Sequence, residues 1–360
     1  MGTPATRAAE VVFSPLDVPT EMVEGDKLGA LFSNRRVSRS DALQVTAVLR
    51  ARNLIAGTLA TLPLRQHGPD RRRYPSPLFE QIDPDMPNTV VLAQTYEDLL
   101  FESVAWWRVI ERNARGWPTA ARFVPAESVH VAPDRWPGAE GWVSRDLPFP
   151  ESGQVFIDGQ PVNDIDVIRF DSPNPPLLVH AARAIRTCLL LDRLTATFAN
   201  EPLGLGYFRP AEGADPLEDE EVEQILNKWN NARQQRAWGY LKGMQAETLE
   251  WDPEKLQLGD QRDHAVKEIA RATGLDADDL SVETTTRTYQ NTEHKRLDLA
   301  DFTLGAYLST VQDRLSMRDV SPRGHYARVA LEGFLRSDTH RRMEAYAIGR
   351  RVGAYTLDEI

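Results

Sequence analysis

Residues Arg262–Leu315 read RDHAVKEIARATGLDADDLSVETTTRTYQNTEHKRLDLADFTLGAYLSTVQDRL, two helical patterns joined by a polar, threonine-rich gap. In the first, Val266, Ile269, Ala270 and Thr273 fall at i, i+3, i+4 and i+7, one face of a helix. Gly274 stands where a left-handed residue would end that helix. In the second, Leu297, Ala300, Leu304, Tyr307, Leu308, Val311 and Leu315 keep one apolar stripe over about five turns. Between them SVETTTRTYQN has almost no apolar side chain and cannot pack a core, so the spacing predicts a mobile loop.

An EIARATGL helix, a polar gap, a TYQNTEH segment and a long helix resemble the C-terminal half of bacteriophage portal proteins. These are the head-to-tail connectors of tailed phages, and the likeness is to the lambda-like, long-tailed type. Glu268, Ile269, Ala270, Arg271, Gly274 and Leu275 carry it, followed by Tyr289, Asn291 and Glu293. The proline usual in that family after this glycine is missing, with Leu275 and Asp276 in its place.

Moving outward toward the N-terminus, residues 1–40 mix Pro, Gly, Arg and acids without either period and read as an arm disordered in isolation. From Asp41 a helical stripe of Val45, Val48, Ile55, Ala56, Leu59 and Leu62 runs to Pro63, with Ser40 or Asp41 as candidate N-cap. This stretch, VTAVLRARNLIAGTLATLPL, is similar to the opening helix of the same family. Arg52 lies on the stripe, and a paired or snorkelling arginine explains it better than a ligand role. PLRQHGPDRRRYPSP reads as a hairpin whose tip carries Arg71, Arg72 and Arg73; a solvated tip is the simpler account, a phosphate or partner contact the alternative.

Thr95–Val104 reads as a short helix, with Tyr96, Leu99, Leu100 and Ser103 on one face. The strand-turn-strand text that follows matches the family at Val109, Ile110, Arg112, Gly116, Pro125 and Val129, though Val104 and Ala105 replace its Gly-Asn. Trp106, Trp107, Trp117, Trp136 and Trp142 read as a packed sheet face rather than a base-stacking platform. QVFIDGQPVNDIDVIRFDSPNPP predicts two short strands around Asp158-Gly159 and a proline-rich linker.

Leu177–Asn200 reads as a helix, with Ile185, Leu189, Leu190, Leu194 and Phe198 apolar, and is the natural partner of the helix around Ile269. Between those two helices come a strand at Leu203–Arg209, a helix after Asp215-Pro216, and strands at Trp238–Met244 and Thr248–Trp251. The acids at its start favour a helix N-terminus through the dipole. Beyond the long helix lie an alternating strand with Tyr326, Arg328 and Ala330, then a helix from Thr339 to Gly349. The chain ends at Ile360, where portal proteins usually continue, so a truncated chain or a short member is expected.

With 360 residues, 41% of them hydrophobic, the chain has enough material for a large core. No apolar run reaches the length of a membrane span, and the N-terminus lacks a signal-peptide core, so synthesis in a host cytoplasm is expected. The single cysteine, Cys188, sits in the apolar run TCLLL and reads as a buried small hydrophobe. A net charge of -11 argues against a protein that grips nucleic acid over its whole surface, but not against a passage through which DNA slides. The seven histidines are scattered, and no HExxH, G-x-S-x-G, Walker A or GxGxxG pattern occurs, so no metal, cofactor or enzymatic chemistry is expected. Asp164-Asp166 and Asp278-Asp279 are explained by turns and caps.

The portal resemblance implies an α+β fold and a non-enzymatic ring of twelve copies at one capsid vertex. It divides the chain into a flexible arm (1–40), a wing of helix plus strands (41–176), a stem helix (177–200), a clip (201–256) and a second stem helix (257–274). A tunnel loop (275–290), a long wing helix (291–320), and a wing strand with crown helices (321–360) complete it. The implied DNA-facing residues are Ser281, Thr284, Thr285, Thr286, Arg287 and Thr288; the implied partner-docking residues of the clip are Glu218, Asp219, Glu220, Glu221 and Lys228. The implied partners are further copies of the chain, the terminase large subunit, a head-tail adaptor, major capsid or scaffolding protein, and double-stranded DNA passing without sequence specificity, with no membrane. Assembly in the host cytoplasm and a final place at the virion vertex follow from the same likeness. A scaffold or adaptor of a phage head, or an enzyme with a noncontiguous hydrolytic site, are the competing readings.

Overall fold

The computed structural model describes residues 36–132, 153–200, 206–210, 221, 222, 224, 227, 244–248, 257–282, 298–330 and 351. The fold mixes helices with small antiparallel sheets, as expected for α+β. It divides into two units, one of residues 1–189 with 263–360 and one of residues 190–262.

The first unit opens with α1 (Arg39–Gln44), and its N-cap is Ser38, whose hydroxyl accepts from the Asp41 N–H, rather than Ser40 or Asp41. The predicted single helix is segmented: Val45 is extended, α2 (Thr46–Arg52) follows, a π-turn spans Asn53–Gly57, and α3 (Thr58–Ala60) ends before Pro63. The stripe survives the interruptions, because Val45, Val48, Ile55, Ala56, Leu59 and Leu62 are all buried in one core. Arg52 is paired, its Nε 2.6 Å from Glu97 Oε2.

The hairpin of β1 (Leu64–His67) and β2 (Arg73–Tyr74) forms as predicted, and α4 (Pro77–Glu80) follows it. The helix expected from Thr95 starts earlier, as α5 (Asn88–Glu102). Asn88 explains the difference: its side chain donates to the Phe79 and Glu80 carbonyls at 3.1 and 3.0 Å and accepts from the Ile82 N–H at 2.8 Å. Those bonds fix the loop before the helix, and the buried Val91 and Leu92 extend its core-facing side toward that loop.

The strands β3 (Val104–Arg112) and β4 (Pro118–Val124) pair, and β5 (Val129–Ala132), β6 (Gln154–Ile157) and β7 (Gln160–Val162) make a separate sheet. Where two strands were predicted over Gln154–Asp171 there are three. The third, β8 (Val167–Asp171), leaves the hairpin and joins β3, giving the order β4-β3-β8. Adjacent side chains of a strand point to opposite faces, and β3 uses both. Trp107 faces the main core, donating to Thr95 Oγ1 at 2.8 Å, while Trp106 faces a second core shared with Val129, Val131, Val155 and Ile157. The tryptophans therefore pack two faces rather than one. Trp117 is half-buried, and Trp136 and Trp142 lie outside the described residues.

The helix expected over 177–200 breaks at Ala181 into α6 (Leu177–His180) and α7 (Ala182–Asn200). Ile185 and Cys188 are buried, whereas Leu190 and Leu194 are exposed. In the second unit β9 (Gly206–Pro210) pairs antiparallel with β10 (Met244–Thr248), so one strand bridges the gap left between the two strands predicted there. α8 (Leu258–Thr273) begins in the second unit and from Asp263 belongs to the first, which also holds α9 (Gly305–Leu315) and β11 (Tyr326–Val329), the latter paired with β1. Ala327 and Val329 are the buried face of β11, opposite to the Tyr326 and Arg328 that marked its alternation. The residues after 330, where the crown was placed, lie outside the described residues except Arg351.

Residues 36–39 are held in the first unit by a dry cluster of charges. Val37 is buried and its N–H donates to the Leu178 carbonyl at 2.9 Å. Arg36 pairs with Glu102, and Arg39 pairs with Asp98 while lying over the Phe101 ring. The Asp98 side chain is fully buried and also accepts from the Ala126 N–H at 2.9 Å. Burial pushes its carboxyl up to about 6 despite the opposing pull of Arg39 and that N–H.

Candidate functional site

The candidate site is the polar gap after α8, and its described part is the frame from which the gap departs. The stripe of α8 packs as read, with Ile269, Ala270 and Thr273 buried and Val266 half-buried. Gly274 has φ +72° and the Leu275 N–H reaches back to the Ala270 carbonyl at 3.1 Å. That six-to-one bond across a left-handed residue is the Schellman closure, which glycine permits without strain.

The segment expected as loop from residue 275 does not open at once. Ala277–Leu280 forms a 3-10 turn, Ser281 takes φ 72°, and the Val282 N–H bonds back to the Ala277 carbonyl at 3.0 Å. The same closure is thus made twice within eight residues, first with glycine and then with serine. Leu275, Leu280 and Val282 are buried, so Val282 belongs to the core and not to the polar gap. A single apolar residue in SVETTTRTYQN suffices to dock its first two positions.

On the far side of the gap Asp298 is helical, Leu299–Leu304 is a π-turn and α9 continues to Leu315, where the long helix stops. Ala300, Leu304, Tyr307, Leu308, Val311 and Leu315 are buried as the stripe requires. The π-turn lets the stripe hold its face while Thr303 turns toward α8. Its hydroxyl donates to the carbonyl of Gly274, the residue just past the end of α8. Arg50 of α2 donates to the Asp279 carbonyl. The two roots of the gap are therefore tied to one another and to the first helices.

Of the predicted site residues, Ser281 is exposed at the edge of this frame, and Thr284, Thr285, Thr286, Arg287 and Thr288 lie outside the described residues. Glu221 is exposed in a helical stretch, and Glu218, Asp219, Glu220 and Lys228 lie outside them. Within the second unit Arg262 of α8 pairs with Asp192 of α7 at 3.1 Å. Sequence reasoning missed Thr303 and Arg50, whose roles rest on contacts distant in sequence. Among the described residues no three His, Cys, Asp or Glu side chains gather as a metal site, and no helix is long and apolar enough to cross a membrane.

The sequence model described as phage portal protein matches residues 46–360. A probable portal protein of Streptomyces phage phiC31 is 23% identical over 359 residues, spanning 92% of this chain and 77% of that one. Among solved structures, the HK97-family phage portal protein from Corynebacterium diphtheriae superposes with a TM-score of 0.67 at 24% identity, covering 84% of this chain and 98% of that chain. A chain from the neck of a native gene transfer agent particle, computed with C12 symmetry, gives 0.54 at 16% identity, covering 91% and 93%. With a family match that takes in all the residues of the frame, the chain belongs to the phage portal protein family.

Proposed function

We propose that this chain is one subunit of a ring, of twelve copies, set at a single capsid vertex, through which double-stranded DNA is packaged and later leaves. Family membership over residues 46–360 carries the reading. The neck structures that share the fold, computed with C6 and C12 symmetry, support a closed ring. The role is structural. The motor and the adaptor act on the ring, and the chemistry of translocation belongs to the terminase.

In this reading the gap after Val282 faces the channel, and the tie between Thr303 and Gly274 fixes the point from which it projects. Short hydroxyl side chains at Ser281, Thr284, Thr285, Thr286 and Thr288 touch phosphates transiently, where a ring of lysines would hold them and resist movement. Residues 201–256 form the clip, in which Glu218, Asp219, Glu220, Glu221 and Lys228 meet the terminase large subunit and then the head-tail adaptor. The ring seats against major capsid or scaffolding protein, assembling in the host cytoplasm before it becomes part of the virion.

Particle mass by light scattering, with negative-stain images of the same sample, tests the ring. Images with a central hole are expected; a strict monomer at every concentration, also with capsid protein present, overturns it. Arg287→Ala separately tests the loop: rings form normally while packaging or retention of DNA changes. Rings that fail to assemble in that variant remove the loop from the channel.

A further inference from the structure

The arginine triplet at the hairpin tip acquires a second half in the folded chain. Between β1 and β2 the turn closes through the Arg71 N–H on the Gly68 carbonyl at 2.9 Å and the Gly68 N–H on the Arg72 carbonyl at 3.0 Å. Gly68 is required by close approach, since a Cβ there would sit 2.3 Å from the Tyr74 ring. Pairing of β1 with β11 then brings the turn before β11 against this tip. A Cβ on Gly324 would lie 3.8 Å from Pro69, and the Tyr74 and His325 rings meet edge-on at 5.0 Å. Arg71, Arg72, Arg73 and Arg323, some 250 residues apart in the chain, thus share one exposed surface.

The carboxylates on these two turns are committed to local work. Asp70 accepts from the Arg72 N–H at 3.1 Å and from the Tyr74 hydroxyl at 3.3 Å, leaving Arg72 only a 3.9 Å ion pair. Asp319 takes both arms of Arg314, at 3.0 and 2.7 Å. In a chain of net charge -11, a local excess of guanidinium on two rigid turns is a departure that solubility does not explain.

We propose that this surface, formed by the tip between β1 and β2 and the turn before β11, is a second DNA contact, binding the phosphodiester backbone of a duplex without reading its bases. Its chemistry fits phosphate better than a protein partner. Guanidiniums bind phosphate oxygens with paired, charge-assisted hydrogen bonds, and no basic side chain here is positioned by a groove-reading helix or ribbon. A protein interface of comparable specificity has an apolar centre, whereas the exposed apolar side chains on these turns are only Tyr74, itself hydrogen-bonded to Asp70, and Met317. The contact is independent of the polar gap after Val282, and its test separates the two.

The experiment measures binding of the full chain to a short linear duplex of arbitrary sequence and to a covalently closed circular duplex, across a salt series. A closed circle cannot thread a channel, so its binding reports an outer surface. The comparison protein is the triple variant Arg71→Ala, Arg73→Ala, Arg323→Ala, whose changes are all at exposed positions; an unchanged thermal midpoint confirms its fold. Wild-type protein is expected to bind both duplexes. The triple variant is expected to lose at least about tenfold in affinity at about 50 mM salt for both, with a log–log salt slope shallower by about 2.7, three contacts at about 0.9 each. Equal binding by the variant, loss on the linear duplex alone, or tighter binding of poly-glutamate than of duplex at equal charge concentration overturns the proposal.

Discussion

Residues 36–39 and residues 274–282 each fasten a stretch of chain, one chiefly by ion pairs and the other chiefly by backbone closures and apolar burial. At the first, Arg36 and Arg39 meet Glu102 and Asp98 in a region where the carboxylates are nearly dry. At the second, two backbone closures, the Thr303 hydroxyl and the buried side chains of Leu275, Leu280 and Val282 hold the frame, with Arg50 adding one bond to a carbonyl. Charges in a dry place are strong only while both signs are present, so the first attachment answers to pH and to the loss of either partner. The backbone closures themselves have no titrating member, although the buried Asp278 lies among them.

The most severe way to break the contrast is Arg39→Ala. It leaves the buried Asp98 without its cation and removes the contact over Phe101, at an expected cost of about 3–5 kcal/mol at neutral pH. Chemical denaturation checks it. The cost should shrink in mild acid, where Asp98 takes a proton and no longer needs the partner; a cost independent of pH would show that Arg39 acts through packing alone.

The second test uses pH directly. Asp98 has its carboxyl raised to about 6 in the fold, so the folded chain holds that proton more tightly than the unfolded chain does. Its contribution to stability is fully present below about pH 4 and is lost as pH rises toward 6, by at most about 3 kcal/mol. Glu102, raised chiefly by burial, pulls the same way. Asp83 works in the opposite sense: burial pushes it up, but hydrogen bonds from Arg122 and the Asp85 N–H together with the Arg122 charge leave it below the ordinary range. Its share is lost only in stronger acid, below about pH 4, which keeps the two windows apart. Asp98→Asn should flatten the fall in stability between pH 4 and 6, measured by thermal unfolding; an unchanged slope would assign it to other groups.

The two attachments also differ in how far the sequence discloses them. Gly274 after a clean helical stripe announces a left-handed end, and the observed φ agrees. Ser281 announces nothing, because serine is common in turns of every kind and the 3-10 turn before it offers two apolar residues, Ala277 and Leu280, too few to show a period. The apolar stripe of the long helix was readable although a π-turn interrupts it, since the same residues remain inside; the interruption was not readable. Arg52 on an apolar face read as snorkelling or paired, and Glu97 makes it the paired case. Arg36 and Arg39 lie in a stretch with no period at all, so their pairing with α5 needed the folded chain. The hairpin arginines were legible as a charge run, but their companion Arg323 becomes a neighbour only through the pairing of β1 with β11.

At the frame of the polar gap the expected effects are smaller. Gly274→Ala places a Cβ at φ +72°, where its nearest neighbour is Thr303 Oγ1 at 3.6 Å, an ordinary contact. The cost is then the backbone term alone, about 1–2 kcal/mol. Stability measured at pH 5 and pH 8 should fall by the same amount, and a larger loss at one of them would mean that a charged group leans on this turn.

Ser281→Gly is the smallest and has the opposite sign. Ser281 holds φ 72° with an exposed side chain, so glycine relieves the left-handed strain, while the extra freedom it gives the unfolded chain takes back part of the gain. The balance should favour the variant by about 0.5–1 kcal/mol, read as a raised thermal midpoint. If the midpoint falls instead, the serine hydroxyl is contributing something its backbone geometry does not require, and the exposed edge of the frame would become the first place to look for contact with DNA in the channel.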